Sequence, residues 1–259
     1  MMGALITPVM RPHMVWGLFH SAIFEVSMPS TSLNRRSLLA LAGATAAFTA
    51  VRTNGVAFQP TSATPAAPAP APINPASAAL LVMDYQPRWL ATLDDPDAVV
   101  NQASTAIATA RERGIEVVYA WVAFTAADYA AVPEGNVIFQ QIARPDGVLD
   151  ADLPDVQIDP RVEPLPSDKV VRKTRVSAFE RTDLDAWLRG MGIDTLILSG
   201  ISTSGVVLST VCDAADMDYR VLVLADACAD RSPEIQQVLT EQVFPQRAEV
   251  IRVAEFTAA

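Results

Sequence analysis

Histidine is almost missing from this chain of 259 residues, and both copies, His13 and His20, lie near its start. From Ser77 onward there is none. Without an imidazole, a Ser-His-Asp or Cys-His nucleophile cannot be assembled there. A histidine-ligated zinc or iron site is excluded on the same ground. The two cysteines, Cys212 and Cys228, are too few for a disulfide scaffold or a zinc–cysteine cluster. Lysine is scarce too: Lys169 and Lys173 are the only two in a chain that otherwise uses arginine. No Gly-x-x-x-x-Gly-Lys-Ser/Thr loop occurs, and no Gly-x-Gly-x-x-Gly follows the first strand, so neither phosphate-cradling fingerprint applies. No cofactor is therefore expected. Positive charge is also short. The formal net charge is −10, and from Ser77 onward 15 Lys and Arg face 28 Asp and Glu, a balance of −13. Such a chain has no electrostatic footprint for nucleic acid or an anionic membrane.

What is abundant is apolar: 51% of residues are hydrophobic and 19% charged, enough for a sizeable core. The N-terminus, however, reads as an address. Arg35 and Arg36 precede a mildly apolar stretch ending in small residues near Ala50, the pattern of a twin-arginine export signal. That stretch is too short and too rich in Ala, Gly and Thr to span a bilayer, so the mature form is expected free of the membrane, in the periplasm or outside the cell. The plain alternative is a short helix behind two basic residues. Met28 sits where such a signal would begin, which makes residues 1–27 an expected artefact of start-codon choice. Residues 1–57 are thus read as extension and signal, and 58–76, with six prolines among alanines, as a semi-rigid linker. A folded domain is expected over 77–259.

That domain alternates strand and helix. Ala79–Met83 is a continuous apolar run ending at Asp84, the mark of a strand buried on both faces. Residues 96–113 carry helical spacing and stop at Gly114. Further strands are expected at 115–122, 169–172, 195–199, 221–224 and 248–253, and helices at 184–189, 203–217 and 233–243. The stretch 125–167 reads as loop with one short helix at most. The pattern predicts a three-layer α/β/α sandwich around a mainly parallel six-stranded sheet. In such sheets ligands sit at the carboxyl ends of the strands. Asp84, Lys173, the segment Gly200–Val206 and Asp226 all fall on that rim, and the architecture can bring the first three together.

A carboxylate at the end of an apolar strand is costly unless paired or working, and a lysine beside it would tune its proton affinity. The bland alternative is that Asp84 caps a loop and Lys173 is a solvated strand end. The turn from Gly200 to Val207 points backbone N–H groups at the rim, where a helix start favours an anion. It also reads as a simple Ser/Thr N-cap.

These segments resemble the isochorismatase-like hydrolase family: Leu81-Val82-Met83-Asp84-Tyr85-Gln86, then Lys173-Thr174-Arg175-Val176-Ser177-Ala178-Phe179, then Leu198-Ser199-Gly200-Ile201-Ser202-Thr203-Ser204-Gly205. Asp226-Ala227-Cys228-Ala229 is similar to that family's fifth-strand motif. The resemblance implies a six-stranded parallel sheet, a small-molecule substrate and a homo-oligomer. It also implies that Asp84 is the catalytic aspartate and Lys173 the catalytic lysine. The amide-cleaving branch carries its cysteine nucleophile where this chain has Val206, and valine cannot attack a carbonyl. Cys212, six residues on and roughly 9 Å along a helix, does not substitute. Cys228 reads as a small buried residue. Ser202, Thr203 and Ser204 lack a histidine base. The Asp-x-His metal motif of the family's nicotinamidases is replaced by Trp121-Val122-Ala123-Phe124, so no metal site is expected.

Two readings follow. In the first, Asp84 is the general acid/base, assisted by Lys173, in hydrolysis of a vinyl ether or related C–O or C–N bond with no protein nucleophile. Backbone N–H groups near Ser202 and Val206, with Gln86, Ile201, Thr203 and Gly205, form the substrate site. Arg88 and Arg175 are candidates to pair a substrate carboxylate. Trp89 and Phe179 are candidates for the apolar wall, with core packing as the alternative. In the second reading, the fold is a small-molecule-binding pseudoenzyme that has lost turnover.

Overall fold

A computed structural model of the protein describes residues 72–143 and 147–258. The export signal, the alternative start and most of the linker lie outside these residues. Six strands form one all-parallel sheet: β1 (Ala78–Met83), β2 (Glu116–Val122), β3 (Lys169–Lys173), β4 (Thr195–Ile201), β5 (Arg220–Ala229) and β6 (Glu249–Ile251). Their spatial order is β3-β2-β1-β4-β5-β6. β1 is central, and all six of its residues are buried. Alternate side chains explain this. Ala79, Leu81 and Met83 enter one core cluster, Ala78, Leu80 and Val82 the other, so both faces of the strand are covered. Each leucine so buried contributes about 2 kcal/mol.

Helices cover both faces, and two short ones, α1 (Pro87–Leu90) and α7 (Pro233–Val238), follow β1 and β5. One face carries α2 (Pro96–Arg113) and α8 (Val253–Ala258), packed through Val100, Ala103, Ile107 and Phe256. The other carries α5 (Leu184–Gly190) and α6 (Leu208–Asp216), packed through Leu184, Leu188 and Val211. The sequence rules for helix ends apply to α2 without exception. Asp95 accepts from the Ala98 amide at 3.0 Å, Pro96 opens the helix, and Gly114 closes it at φ 72°.

The chain departs from the sequence expectation in several places, among them β5, expected at 221–224 and running from Arg220 to Ala229. Residues 125–167 hold two short helices, α3 (Ala126–Ala130) and α4 (Val137–Ile142), around a core of their own with Phe124, Tyr129, Phe139 and Leu149. Five- and six-residue helices show no readable periodicity; their caps, Thr125 and Asn136, make them. The helix expected from 203 begins with a wide π turn, Thr203–Val207, before α6. The last strand is shorter than expected, and its end becomes α8. The Asp226 carboxylate accepts the Val253 amide at 2.8 Å, so this residue serves the start of α8 and not the rim occupied by Asp84.

Topology places the crevice. From β1 the chain moves outward to β2 and β3, then returns to the other side of β1 to lay down β4. β1 and β4 therefore flank the switch point, and their carboxyl ends diverge around an opening.

Candidate active site

Asp84 follows directly on β1, with φ 55°, a left-handed backbone that aspartate tolerates better than most residues. Its amide still donates to Ala120 at 2.8 Å, so the turn begins while the sheet holds the chain. Lys173 ends β3, two strands away, paired in register with Val122. Two strand spacings are roughly 10 Å, a gap that lysine's long stem closes across β2. The Lys173 Nζ donates to Asp84 Oδ2 at 2.7 Å and to the Arg175 carbonyl at 3.2 Å. Asp84 is 5% exposed and Lys173 1%, so the pair sits out of water. The bland alternative of a solvated strand end is thereby removed.

The other Asp84 oxygen, Oδ1, is buried without a hydrogen-bond partner. Burial raises the proton affinity of this carboxyl, and the Lys173 ammonium and the nearby Val122 amide only partly offset it. The carboxyl is thus held at one oxygen and unpartnered at the other.

A cavity of about 360 Å³ lies over the pair, between the ends of β1 and β4 and beneath α4. Ile201, Ser202, Ser204, Gly205 and Val206 line one side. The Ile201–Ser202 peptide is cis. Two glycines let this segment close up. A methyl on Gly200 would stand 2.9 Å from the Met83 carbonyl oxygen, and one on Gly205 would stand 2.8 Å from Ser202 Oγ. The Ser204 amide is taken by Asp230 at 2.8 Å. Val206, 2% exposed, presents an aliphatic side chain to the cavity. No cysteine reaches the lining. Cys212 lies farther along α6, and Cys228 is buried beside the Leu198 carbonyl, its thiol pushed up to about 12 by burial.

Of the expected substrate contacts, Trp89, Arg175, Ile201, Ser202 and Gly205 line the cavity with Asp84, Lys173 and Val206. Four others do not. Gln86 is 1% exposed and works as a clamp: its amide donates to the Val122 and Val156 carbonyls, and its oxygen accepts from the Val122 amide at 3.1 Å. It also accepts from Trp89 Nε1 at 3.3 Å, so it positions a cavity wall. Arg88 turns outward and pairs with Asp155 at 2.7 Å. Phe179 stacks on Tyr219 in the core, with centroids 5.9 Å apart. Thr203 is fully buried and donates to Gln236.

The sequence reading missed α4. Ile138, Phe139 and Ile142 form the cavity roof, and Asp230 and Arg231 stand at its edge. Asn136 ahead of Val137-Ile138-Phe139, with Ile142 one turn later, is the signal that marks this helix. Among the described residues no group of three or more His, Cys, Asp or Glu is arranged to hold a metal ion, and no helix is long and apolar enough to cross a membrane.

Residues 78–255 match the family model of the isochorismatase domain. The chain is 32% identical over 202 residues to the ureidoacrylate amidohydrolase RutB of Pseudomonas syringae, covering 70% of this chain and 82% of that protein. It is 33% identical over 186 residues to a protein named "Probable isochorismatase" from Pseudomonas chlororaphis, covering 71% and 86%. Among solved structures, an isochorismatase family protein from Burkholderia thailandensis superposes with a TM-score of 0.61 at 28% identity, covering 72% of this chain and 96% of that one.

Proposed function

The chain belongs to the isochorismatase family of hydrolases, and from that premise we propose that it cleaves a small molecule by proton transfer from Asp84, without a cysteine nucleophile. The observation that carries this reading is the divided state of the Asp84 carboxyl: Lys173 holds Oδ2 at 2.7 Å, while Oδ1 is buried and unpartnered.

The chemistry that suits such a group is hydrolysis of a vinyl ether. Protonated Asp84 gives its proton to the terminal alkene carbon. The ether oxygen supplies electrons to the adjacent carbon, which becomes an oxocarbenium centre. Water adds there and returns a proton to Asp84. The hemiketal then collapses to a carbonyl and an alcohol. Lys173 fixes the carboxyl and stabilises its anion between the two proton transfers. Backbone amides near Ser202 and Val206 hold the polar end of the substrate. The aliphatic Val206 then serves as wall, and its lack of nucleophilicity costs nothing.

The test is turnover of 2-cyclohexyloxyacrylate, a vinyl ether of a carboxylic acid, beside a panel of small amides. Formation of pyruvate and cyclohexanol by the wild type, lost in Asp84→Asn, supports the reading. Amide cleavage in preference to ether cleavage would replace it. A second reading rests on Val206 itself: the fold as a binding protein without turnover. It predicts tight ligand binding and no hydrolysis of either class by the wild type.

A further inference from the structure

Between β4 and β5 the sheet carries an irregularity that the proton-transfer chemistry leaves unused. Leu198 pairs with Val223 and Gly200 with Cys228, so two steps along β4 match five along β5, and 5 − 2 = 3 residues of β5 bulge out of register. A bulge re-aims the chain beyond it. Here it sets Cys228 and Ala229 beside Gly200 and Ile201, and Asp230 arrives next to the turn Thr203–Val207. One side chain staples this bulge. Gln236, on α7, donates from Nε2 to the Ala225 carbonyl at 3.1 Å and to the Cys228 carbonyl at 3.2 Å. Two acceptors on one side fix which end of the amide is nitrogen. The amide oxygen is then left to accept from the hydroxyl of Thr203, which is fully buried. One residue further along the turn, the Ser204 amide donates to Asp230 Oδ2 at 2.8 Å, while Oδ1 accepts the Ser232 amide at 3.4 Å. Two consecutive residues of the turn are thus tied to the same neighbouring segment, one through its side chain and one through its backbone.

We propose that Asp230 and Gln236 are positioning residues, which hold the turn Thr203–Val207 in the shape that receives the substrate. The inference rests on the cavity being the substrate site, and it adds what keeps one wall of that site in place. Three observations carry it. The turn has π geometry, a form found mostly as single turns at functional sites. It includes Gly205, whose backbone is the freest of any residue type, and Ser204, Gly205 and Val206 all line the cavity. A wall of this kind, left untied, would have to be ordered by each arriving ligand, at a cost in affinity. Both oxygens of Asp230 are also committed to backbone amides, so the side chain serves as a brace and leaves proton transfer to Asp84. What the Ser204 amide requires is an acceptor at that point, and the carbonyl oxygen of an asparagine meets the requirement without the charge.

The experiment compares the full chain with Asp230→Ala, Asp230→Asn and Gln236→Leu by two readouts. One is steady-state kinetics with 2-cyclohexyloxyacrylate; the other is hydrogen exchange of the Ser204 amide in the absence of ligand, read by NMR. Asp230→Ala and Gln236→Leu are expected to raise KM at least about tenfold while kcat changes less than about threefold, the mark of lost binding that ground and transition states share. In both, exchange of the Ser204 amide is expected to quicken at least about tenfold. Asp230→Asn is expected to stay within about threefold of the wild type by either readout, because the acceptor survives. Should Asp230→Ala fail to fold, Gln236→Leu against Asp230→Asn carries the same comparison. Wild-type KM or wild-type exchange in Asp230→Ala or in Gln236→Leu overturns the proposal. An equal loss in Asp230→Asn and Asp230→Ala overturns it too, since the charge and not the acceptor would then be what matters. A fall in kcat at unchanged KM in Asp230→Ala would place this carboxylate in the chemistry and contradict a positioning role. Absence of turnover by the wild type would remove the hydrolytic reading alone, and amide exchange would still decide whether the two side chains hold the turn.

Discussion

At Asp84 burial and charge pull in opposite directions, and burial wins. The pH dependence follows with a definite sign. If the protonated acid is the active form, hydrolysis falls as pH rises through the elevated value of this carboxyl. Lys173 lowers that value, so Lys173→Met is expected to move the falling limb to higher pH, alongside a reduced rate; a pH–kcat profile of both proteins checks this. The effect on folding has the same direction. An acid whose folded value is raised contributes stability below its unfolded value of 3.8, and that contribution is lost as pH rises through the folded one. Asp159 behaves in the opposite way. Its carboxylate is 5% exposed, bound by the Arg161 side chain at 2.8 Å and by the Arg161 amide at 2.9 Å, and these bonds lower its proton affinity. Asp159→Ala is expected to cost about 2 kcal/mol in urea unfolding at neutral pH. The gap to the wild type should close as pH falls below 3.8 through the folded value.

At the scale of elements, close approach of β1 and β4 is what builds the cavity floor. Gly200 permits it, because a side chain there would meet the Met83 carbonyl oxygen, a backbone atom that cannot swing away. Gly200→Ala is expected to destabilise the fold by about 2 kcal/mol, read by denaturant unfolding. Gly205→Ala meets only Ser202 Oγ, a side-chain atom that can rotate, and is expected to cost less. Much of this level is legible in the sequence. The apolar run before Asp84 and the caps of α2 are local signals, and the structure follows them. The two termini of the Asp84–Lys173 pair are legible too, because each closes an apolar strand and the parallel order brings strand ends to one rim. Phe139 is not legible in that way. It lies in a six-residue helix inside a long irregular stretch, and its place above Arg175 depends on packing among Phe124, Tyr129 and Leu149. The same limit explains Arg88 and Phe179: residue type marks them as candidates, but only tertiary geometry shows one paired with Asp155 and the other stacked on Tyr219.

For the whole molecule, helices cover both faces of the sheet and the switch point between β1 and β4 leaves a crevice at the strand ends. Where the protein works is a separate proposal, resting on Arg35 and Arg36 ahead of a short apolar stretch. Replacing both arginines by lysine is expected to retain the full-length chain in the cytoplasm, whereas the wild type is recovered outside it with an N-terminus between that stretch and the folded domain. Recovery of both proteins in the cytoplasm, uncut, would remove the export proposal and leave the site untouched. Any anionic ligand must approach against a net charge of −13 summed over 15 basic and 28 acidic residues. Ligand affinity is accordingly expected to improve with added salt at low ionic strength.

The most direct test measures kcat for 2-cyclohexyloxyacrylate with three samples: wild type, Asp84→Asn, and wild type treated with iodoacetamide. Proton transfer from a buried acid beside an aliphatic wall predicts a loss of at least about 100-fold in Asp84→Asn and no loss on alkylation. Turnover that survives the asparagine, or that disappears with the thiol reagent, would contradict it.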